Sequence, residues 1–444
     1  MLQAFAPDIT PAPAGRRQTG PVFPHPDQAP AAFMPTQLYA FEASPLLLFG
    51  LLLLGGLASG EISRRAFGLP RTTGFVLFGV LIGNSGLRWI DPYILDAAQF
   101  FIYPGIGLIL FELGHHFPLT GRRIDRRLVL LSLAETSTVF ATITTLMYLL
   151  GFGLAGGLFA AAIAASTSPA ITIATTRDSG ADGPFTRRLF GLVALNGCVA
   201  FAAVSVILPM LAASGTTELT PGYATAAGHV LLSVLLGAGL ALTACAAARR
   251  LGPQVEHQHL MLLGLIVVGT GLPLTLEMSP LLTLLTFGIG TRIADRHKAV
   301  LAIRISSDAR VFLVVTFVLA GAALEIGLLA EYAATATAYA LTRFGARWAA
   351  LHLMGRRLGI TARESRFTAI GLLPMSSVAL VLLGDAGPLE GGVGPALSGT
   401  LMGAIVLMQL IGPLCTQAAL IAAGEARLGG IPAARHPADG APSR

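Results

Sequence analysis

Few residues in this sequence could do chemistry, and they lie where charge is expensive. Glu135, Arg343 and Arg347 interrupt otherwise apolar stretches, and Asn196 does so without a charge. A charged side chain in hydrocarbon costs at least about 2.5–3.5 kcal/mol, so it normally faces a cavity or a partner. Arg343 and Arg347 stand one helical turn apart on one face. Arg347 is close enough to the end of its stretch to reach headgroups, whereas Arg343 lies a turn deeper. Glu135 reads either as a buried structural partner or as a carboxylate that takes up and releases a proton. Two further stretches combine hydroxyls with proline: Ala165-Ser166-Thr167-Ser168-Pro169 and Gly371-Leu372-Leu373-Pro374-Met375-Ser376-Ser377. Proline removes a backbone donor and clashes with the preceding turn. In a membrane the freed carbonyls and amides need hydroxyls, water or an ion. The chemistry on offer is the holding of a small ion beside a protonatable group. No nucleophile–base–acid set is recognisable, so no enzyme is expected, and the adjacent His115 and His116 are not spaced for a metal. No cofactor is expected.

The elements that must position these groups follow from composition. The 444 residues are 54% hydrophobic and only 12% charged, about half the charge of an average soluble protein. That excludes a soluble enzyme, a nucleic-acid partner and a disordered scaffold, and leaves an all-α polytopic membrane protein in the lipid bilayer. Residues 1–44 hold eight prolines and read as a disordered tail without the pattern of a cleaved signal. From there thirteen apolar spans are predicted: 45–60, 72–87, 98–117, 128–150, 153–176, 189–213, 226–247, 258–273, 279–291, 311–327, 332–354, 367–384 and 395–422. Residues 45–422 thus form the transmembrane domain and 423–444 a short tail. Charge tests the count. The breaks after odd spans, with the tail, hold 24 of the 29 Lys and Arg residues, whereas the breaks after even spans hold Arg88 alone and seven acids. By the positive-inside rule the odd breaks are cytoplasmic, the N-terminus is outside and the C-terminus is inside. Glu112 then reaches the interface at the end of its span. The three cysteines, Cys198, Cys245 and Cys415, all lie in apolar runs and form no redox or metal pattern.

Spans 5 and 12 run in opposite directions, yet Pro169 and Pro374 fall at the same depth, about seven residues from the cytoplasmic end. Glu135, Asn196 and Arg347 share that depth. Spans 4–6 and 11–13 are therefore expected to be inverted repeats with two broken helices crossing at a shared site, the layout of a secondary transporter.

On its motifs the chain resembles the cation:proton antiporter superfamily, of the sodium/proton exchanger type. Gly68-Leu69-Pro70-Arg71-Thr72-Thr73-Gly74-Phe75, ending at Leu81-Ile82-Gly83-Asn84, is similar to the family's opening helix. Gly107-Leu108-Ile109-Leu110-Phe111-Glu112-Leu113-Gly114 is similar to a later one, and Ser166-Thr167-Ser168-Pro169-Ala170 stands where the family has an unwound stretch. Phe312 to Gly321, Arg343 with Gly355-Arg356-Arg357-Leu358-Gly359, and Gly371 to Leu382 resemble its late helices. The resemblance implies a core and a dimerisation domain, a homodimer in the inner cell membrane, and elevator-like exchange of a monovalent cation, Na⁺ or K⁺, for H⁺. It implies that Arg343 neutralises the core and that Asn196 is the Asn of an Asn-Asp ion-site pair.

The departures from that pattern fall on the site itself. The Asp of the pair is Gly197, the acidic position of the first unwound stretch is Ser168, and the second stretch offers Ser376 and Ser377. Coupling requires a group that a proton and a cation both compete for. Three readings follow. Glu135, paired with Arg343, is the relocated carboxylate, with Ser166, Thr167, Ser168, Asn196, Ser376 and Ser377 around the ion and Arg343 and Arg347 compensating charge. Alternatively the arginines and the broken-helix N-termini bind an anion or organic acid. Thirdly, the scaffold is kept by a non-transporting, regulatory protein.

Overall fold

Local signals set the helix ends, and they recur along the chain. The computed structural model describes residues 45–90, 92–120, 123–213, 222–252, 255–295, 300, 308–375, 379, 382–383 and 394–426. The predicted N-terminal tail, most of the C-terminal tail, Ser376 and Ser377 lie outside them. The helices are α1 (Pro45–Phe67), α2 (Arg71–Ile82), α3 (Pro92–His115), α4 (Arg126–Leu149), α5 (Gly153–Ala165), α6 (Pro169–Ser179), α7 (Pro184–Ala213), α8 (Gly222–Leu251), α9 (Val255–Thr275), α10 (Pro280–Ala294), α11 (Asp308–Ala322), α12 (Ile326–Glu331), α13 (Ala333–Arg357), α14 (Ala362–Gly371) and α15 (Pro395–Ala422). Asp125 caps α4 by accepting from Arg127 N, Ser279 caps α10 with Pro280 behind it, and Thr361 and Glu364 form a reciprocal capping box on α14. Such caps satisfy amides that the first helical turn leaves free.

Each predicted span overlaps one of these helices, span 12 only through the last five residues of α14, and the last matches residue for residue. Span 5 is two helices, as its proline and hydroxyls require. The helix of span 10 ends at Ala322 and the chain then forms the extra short helix α12 from Ile326; Glu325 stands at the break, a single charge in an otherwise apolar stretch that the span 311–327 ran through. The all-α expectation also missed a minimal ladder in which Leu119–Thr120 (β1) pairs antiparallel with Arg123–Ile124 (β2). Among the described residues, seven helical stretches are long and apolar enough to cross a membrane, and Arg71–Ile82, Pro280–Ala294 and Val311–Ala322 are shorter apolar helices.

Close packing comes from small residues, as expected where lipid removes the hydrophobic drive between helices. Gly114 of α3 and Gly288 of α10 face each other, and a Cβ on either would strike the other helix's backbone. Around the site, α4 packs on α5 and α13, α5 on α7, and α15 on α6, α13 and α14. The other helices pack on one another, with α3 on α10, α10 on α8 and α2 on α11, and meet the site helices where α8 and α10 touch α7 and α12 touches α15.

Candidate functional site

The chain between α5 and α6 unwinds over Ser166–Ser168 and meets the unwound residues after α14. Ser168 N donates to Pro374 O at 3.0 Å, so the two interruptions touch through their backbones. Ser168 also caps α6, its Oγ accepting from Ile171 N at 3.2 Å with Pro169 at the first helical position. Serine before proline therefore starts a new half-helix in mid-stretch. Gly412 of α15 lies against Pro374, and a Cβ there would crowd the proline at 2.9–3.2 Å.

Two helices end at this crossing, and their last carbonyls point at α13. Arg343 donates from Nε to Ala164 O (2.7 Å), from Nη1 to Leu373 O (2.6 Å) and from Nη2 to Ser166 O (2.7 Å). Arg347 donates from Nη1 to Thr167 Oγ1 (2.8 Å) and Leu372 O (3.2 Å), and from Nη2 to Ala164 O (2.9 Å) and Ala165 O (2.8 Å). Both guanidinium groups have zero exposure. They satisfy the orphaned carbonyls that end α5 and α14 and sit at the negative ends of both helix dipoles. One turn further along α13, Tyr339 OH donates to Ala160 O at 2.8 Å, a partner of the same network that hydropathy did not mark.

Glu135 of α4 closes the network from the other side. Its Oε1 lies 3.0 Å from Arg347 Nε, and both side chains are wholly buried. Its Oε2 accepts from Asn196 Nδ2 at 2.7 Å, and Asn196 Oδ1 accepts from Ser132 Oγ at 2.7 Å. The Glu135–Arg347 contact is an ion pair without hydrogen-bond alignment, which leaves Oε1 without a hydrogen-bond donor among the described residues. Two guanidinium charges thus meet one carboxylate and two carbonyl ends worth about half a charge each. The cluster is close to neutral before the amide end of α6 is counted.

The expected pairing of Glu135 with Arg343 is corrected to Glu135 with Arg347. The two arginines are a turn apart on one face, and depth counted along a sequence cannot say which stands level with α4. The snorkelling alternative for Arg347 is overturned by its zero exposure. The arginines also face helix C-termini, not the N-termini that the anion reading needed, because α13 runs past the carbonyl ends of both broken stretches. Glu112, expected at the interface, is 6% exposed and pairs with Arg177 of α6.

The structure brings Glu135, Asn196, Ser166, Thr167, Ser168, Arg343 and Arg347 to one place. Ser132 and Tyr339 belong there too and were missed, since Ser and Tyr are unremarkable inside a span. Gln409, on α15 one turn from Gly412, is wholly buried, and neither of its amide atoms has a hydrogen-bond partner among the described residues. Gly197 points elsewhere: a Cβ there would meet Leu285 Cδ2 at 3.2 Å and the Phe201 ring at 3.6 Å. The position that resembles the family's ion-site Asp therefore faces apolar side chains of α10 and α7.

The sodium/hydrogen exchanger transmembrane family matches residues 49–422. No curated protein matches the sequence. Two structures of the sodium proton antiporter MjNhaP1 from Methanocaldococcus jannaschii share the fold. One, at pH 8, has a TM-score of 0.64 at 18% identity over 87% of this chain and 99% of that one. The other, from electron microscopy, has a TM-score of 0.70 at 17% identity over 85% and 97%.

Proposed function

Because this chain belongs to the sodium/hydrogen exchanger family and is thus a multi-pass membrane transporter, not an enzyme, we propose that it exchanges Na⁺ or K⁺ for H⁺ with Glu135 as the exchanging group. The observation that carries this reading is the placement of Glu135. Among the described residues it is the one carboxylate joined to the crossing, and it is wholly buried there. A proton or a cation at this carboxylate adds the same single charge to a nearly neutral cluster, so the two compete, and competition for one negative group couples their fluxes. Ser166, Thr167 and Ser168 supply neutral oxygens at the crossing. Arg343 and Arg347 hold the helix ends together and offset charge.

The remaining features follow from the charge alternation and the family. Thirteen spans in inverted repeats place the N-terminus outside and the C-terminus in the cytoplasm of the cell membrane. An elevator-like movement of the crossing against the other helices gives alternating access, and the working unit is a homodimer. The anion reading loses support from the arginines, whose donors are already committed to carbonyls, Thr167 and Glu135.

Proteoliposomes with a pH gradient and Na⁺, K⁺, Li⁺ or organic anions test the proposal. Wild-type protein is expected to collapse the gradient with Na⁺ or K⁺, and Glu135→Gln, checked for folding by its melting curve, to lose that exchange. Exchange that persists in folded Glu135→Gln rejects Glu135 as the exchanging group. Anion flux alone supports the second reading, and no flux of any ion by the wild type supports a scaffold without transport.

A further inference from the structure

At the arginine-rich ends of the helices, three connections meet around a cavity of about 320 Å³. The start of α4 contributes Asp125 and Arg127, the start of α7 contributes Arg187 and Arg188, and the turn between α13 and α14 contributes Leu358 and Ile360. Three of the lining residues are cations and one is an acid. This cavity is separate from the crossing and shares no residue with it.

The acids nearby are committed to other work, whereas the arginines are not. Asp125 accepts from Arg127 N as the cap of α4. Glu364 accepts from Thr361 N (3.0 Å) and Thr361 Oγ1 (3.1 Å) as the capping box of α14. It lies 3.7 Å from Arg188 Nη1, too far for a hydrogen bond. That Nη1 atom is itself buried and has no acceptor among the described residues. Arg187 meets Asp182 at 3.4 Å with both side chains largely exposed, a contact of little energetic weight. The Arg127 guanidinium has no acid partner among the described residues. Glu425, beside the start of α7, accepts from Phe185 N, Thr186 N and Thr186 Oγ1 at 2.6–2.8 Å and is likewise fully engaged.

A buried guanidinium donor without an acceptor, beside two further arginines in a cavity of this size, calls for a compact, multiply charged acceptor. A tetrahedral phosphate fits: its oxygens can take donors from several arginines at once. We propose that this cavity binds a phosphate group through Arg127, Arg187 and Arg188. An anionic phospholipid headgroup and a soluble phosphate present the same oxygens, and basic pockets on this side of membrane proteins are suited to headgroups. The proposal does not depend on Glu135 or on transport.

The test uses the full chain in two settings. In nanodiscs, the melting midpoint is compared between phosphatidylcholine alone and phosphatidylcholine with phosphatidylglycerol. In neutral detergent, inorganic phosphate is titrated against chloride at equal ionic strength. Wild-type protein is expected to be stabilised in at least one setting. Arg187→Gln, at an exposed position whose loss the fold should tolerate, is expected to weaken binding roughly tenfold. Arg187→Gln/Arg188→Gln is expected to remove the effect. Arg250→Gln, at the end of α8 and not in the cavity lining, is expected to keep it. Stabilisation by phosphatidylglycerol alone assigns a lipid headgroup, and stabilisation by inorganic phosphate as well assigns the phosphate group whatever carries it. No stabilisation in either setting, an equal effect of chloride, or an equal loss in Arg250→Gln overturns the proposal.

Discussion

Arg343 and Arg347 at the crossing and Arg127, Arg187 and Arg188 at the rim cavity are the same side chain in two surroundings. At the crossing both arginines have zero exposure, and their donors end on carbonyls, a threonine hydroxyl and one carboxylate. At the rim the side chains of Arg187 and Arg188 are 70% and 25% exposed, and their acid contacts are loose. The difference teaches where a membrane protein can leave a cation free. In the low dielectric of the crossing an unmatched guanidinium would be prohibitive, so the fold supplies it with helix ends. At the rim water can stand in for a partner around the exposed Arg187, and a ligand can replace the water. Arginine content alone would not separate a structural cluster from a binding one; the partners do.

The largest test of this contrast removes one arginine from each region. Arg347→Met leaves Glu135 buried without its ion-pair partner and Ala165 O without its donor, and is expected to destabilise by about 3–5 kcal/mol. Arg187→Met at the rim should cost no more than about 1 kcal/mol. Melting in one detergent compares them. Glu135→Leu added to Arg347→Met is expected to recover part of the loss, because the uncompensated charge goes with it. Equal sensitivity at the two places would break the comparison.

A second test asks whether the missing acid at 197 can simply be put back. Gly197→Asp would set a carboxylate against Leu285 and Phe201, at an expected cost of about 2–3 kcal/mol for an unsatisfied polar group. Exchange in proteoliposomes should not rise. Higher exchange in a stable Gly197→Asp protein would mean that this position still opens onto the ion path.

Much of this was legible in the sequence, and the gaps have physical causes. Apolar runs located the helices, because hydrocarbon accepts little else and each end must carry its charges into water or headgroups. Ser168-Pro169 announced the break between α5 and α6, since a cap and a fixed φ start a helix wherever they occur. The common depth of Glu135, Asn196 and Arg347 was readable from residue counts. What the counts could not give was azimuth: whether Glu135 meets Arg343 or Arg347, and that Gly197 turns away from the polar cluster, depend on how α4, α7, α10 and α13 rotate about their axes. The rim cavity was invisible for another reason. Its arginines read as ordinary positive-inside residues, and only their convergence from two separate connections gives them a shape.

A third test compares two caps. Ser168→Ala removes the cap of α6 in a place with no exposure. Ile171 N then loses the cap that accepts from it, in a place water does not reach, so the loss should lie near the top of the usual range of about 0.5–2 kcal/mol. It should also loosen the contact between the two broken stretches, visible as faster amide exchange at Ser168 and Ile171.

The smallest effect is expected at the wet counterpart, the capping box of α14. Thr361→Ala frees Glu364 N, but water can reach it, and the cost should stay at or below about 1 kcal/mol. The same box carries a pH signature. The Thr361 backbone N–H, which donates to the Glu364 carboxylate, holds it below its ordinary value, with Arg188 and the Thr361 hydroxyl adding to the effect. A carboxylate with a lowered folded-state pKa stabilises the fold above its unfolded value and loses that contribution as pH falls through the folded one. Wild-type protein should therefore lose a small increment of stability on acidification that Glu364→Gln does not show, and Thr361→Ala should shrink the increment by removing the hydroxyl that fixes the carboxylate. Added salt should reduce it, because Glu364 is 43% exposed. The Glu135–Arg347 pair, sealed from solvent, should not be screened when the added salt is that of a bulky organic cation, which keeps any Na⁺ or K⁺ exchange at Glu135 out of the comparison. A salt response of equal size at the two carboxylates would show that water reaches the crossing as freely as the rim.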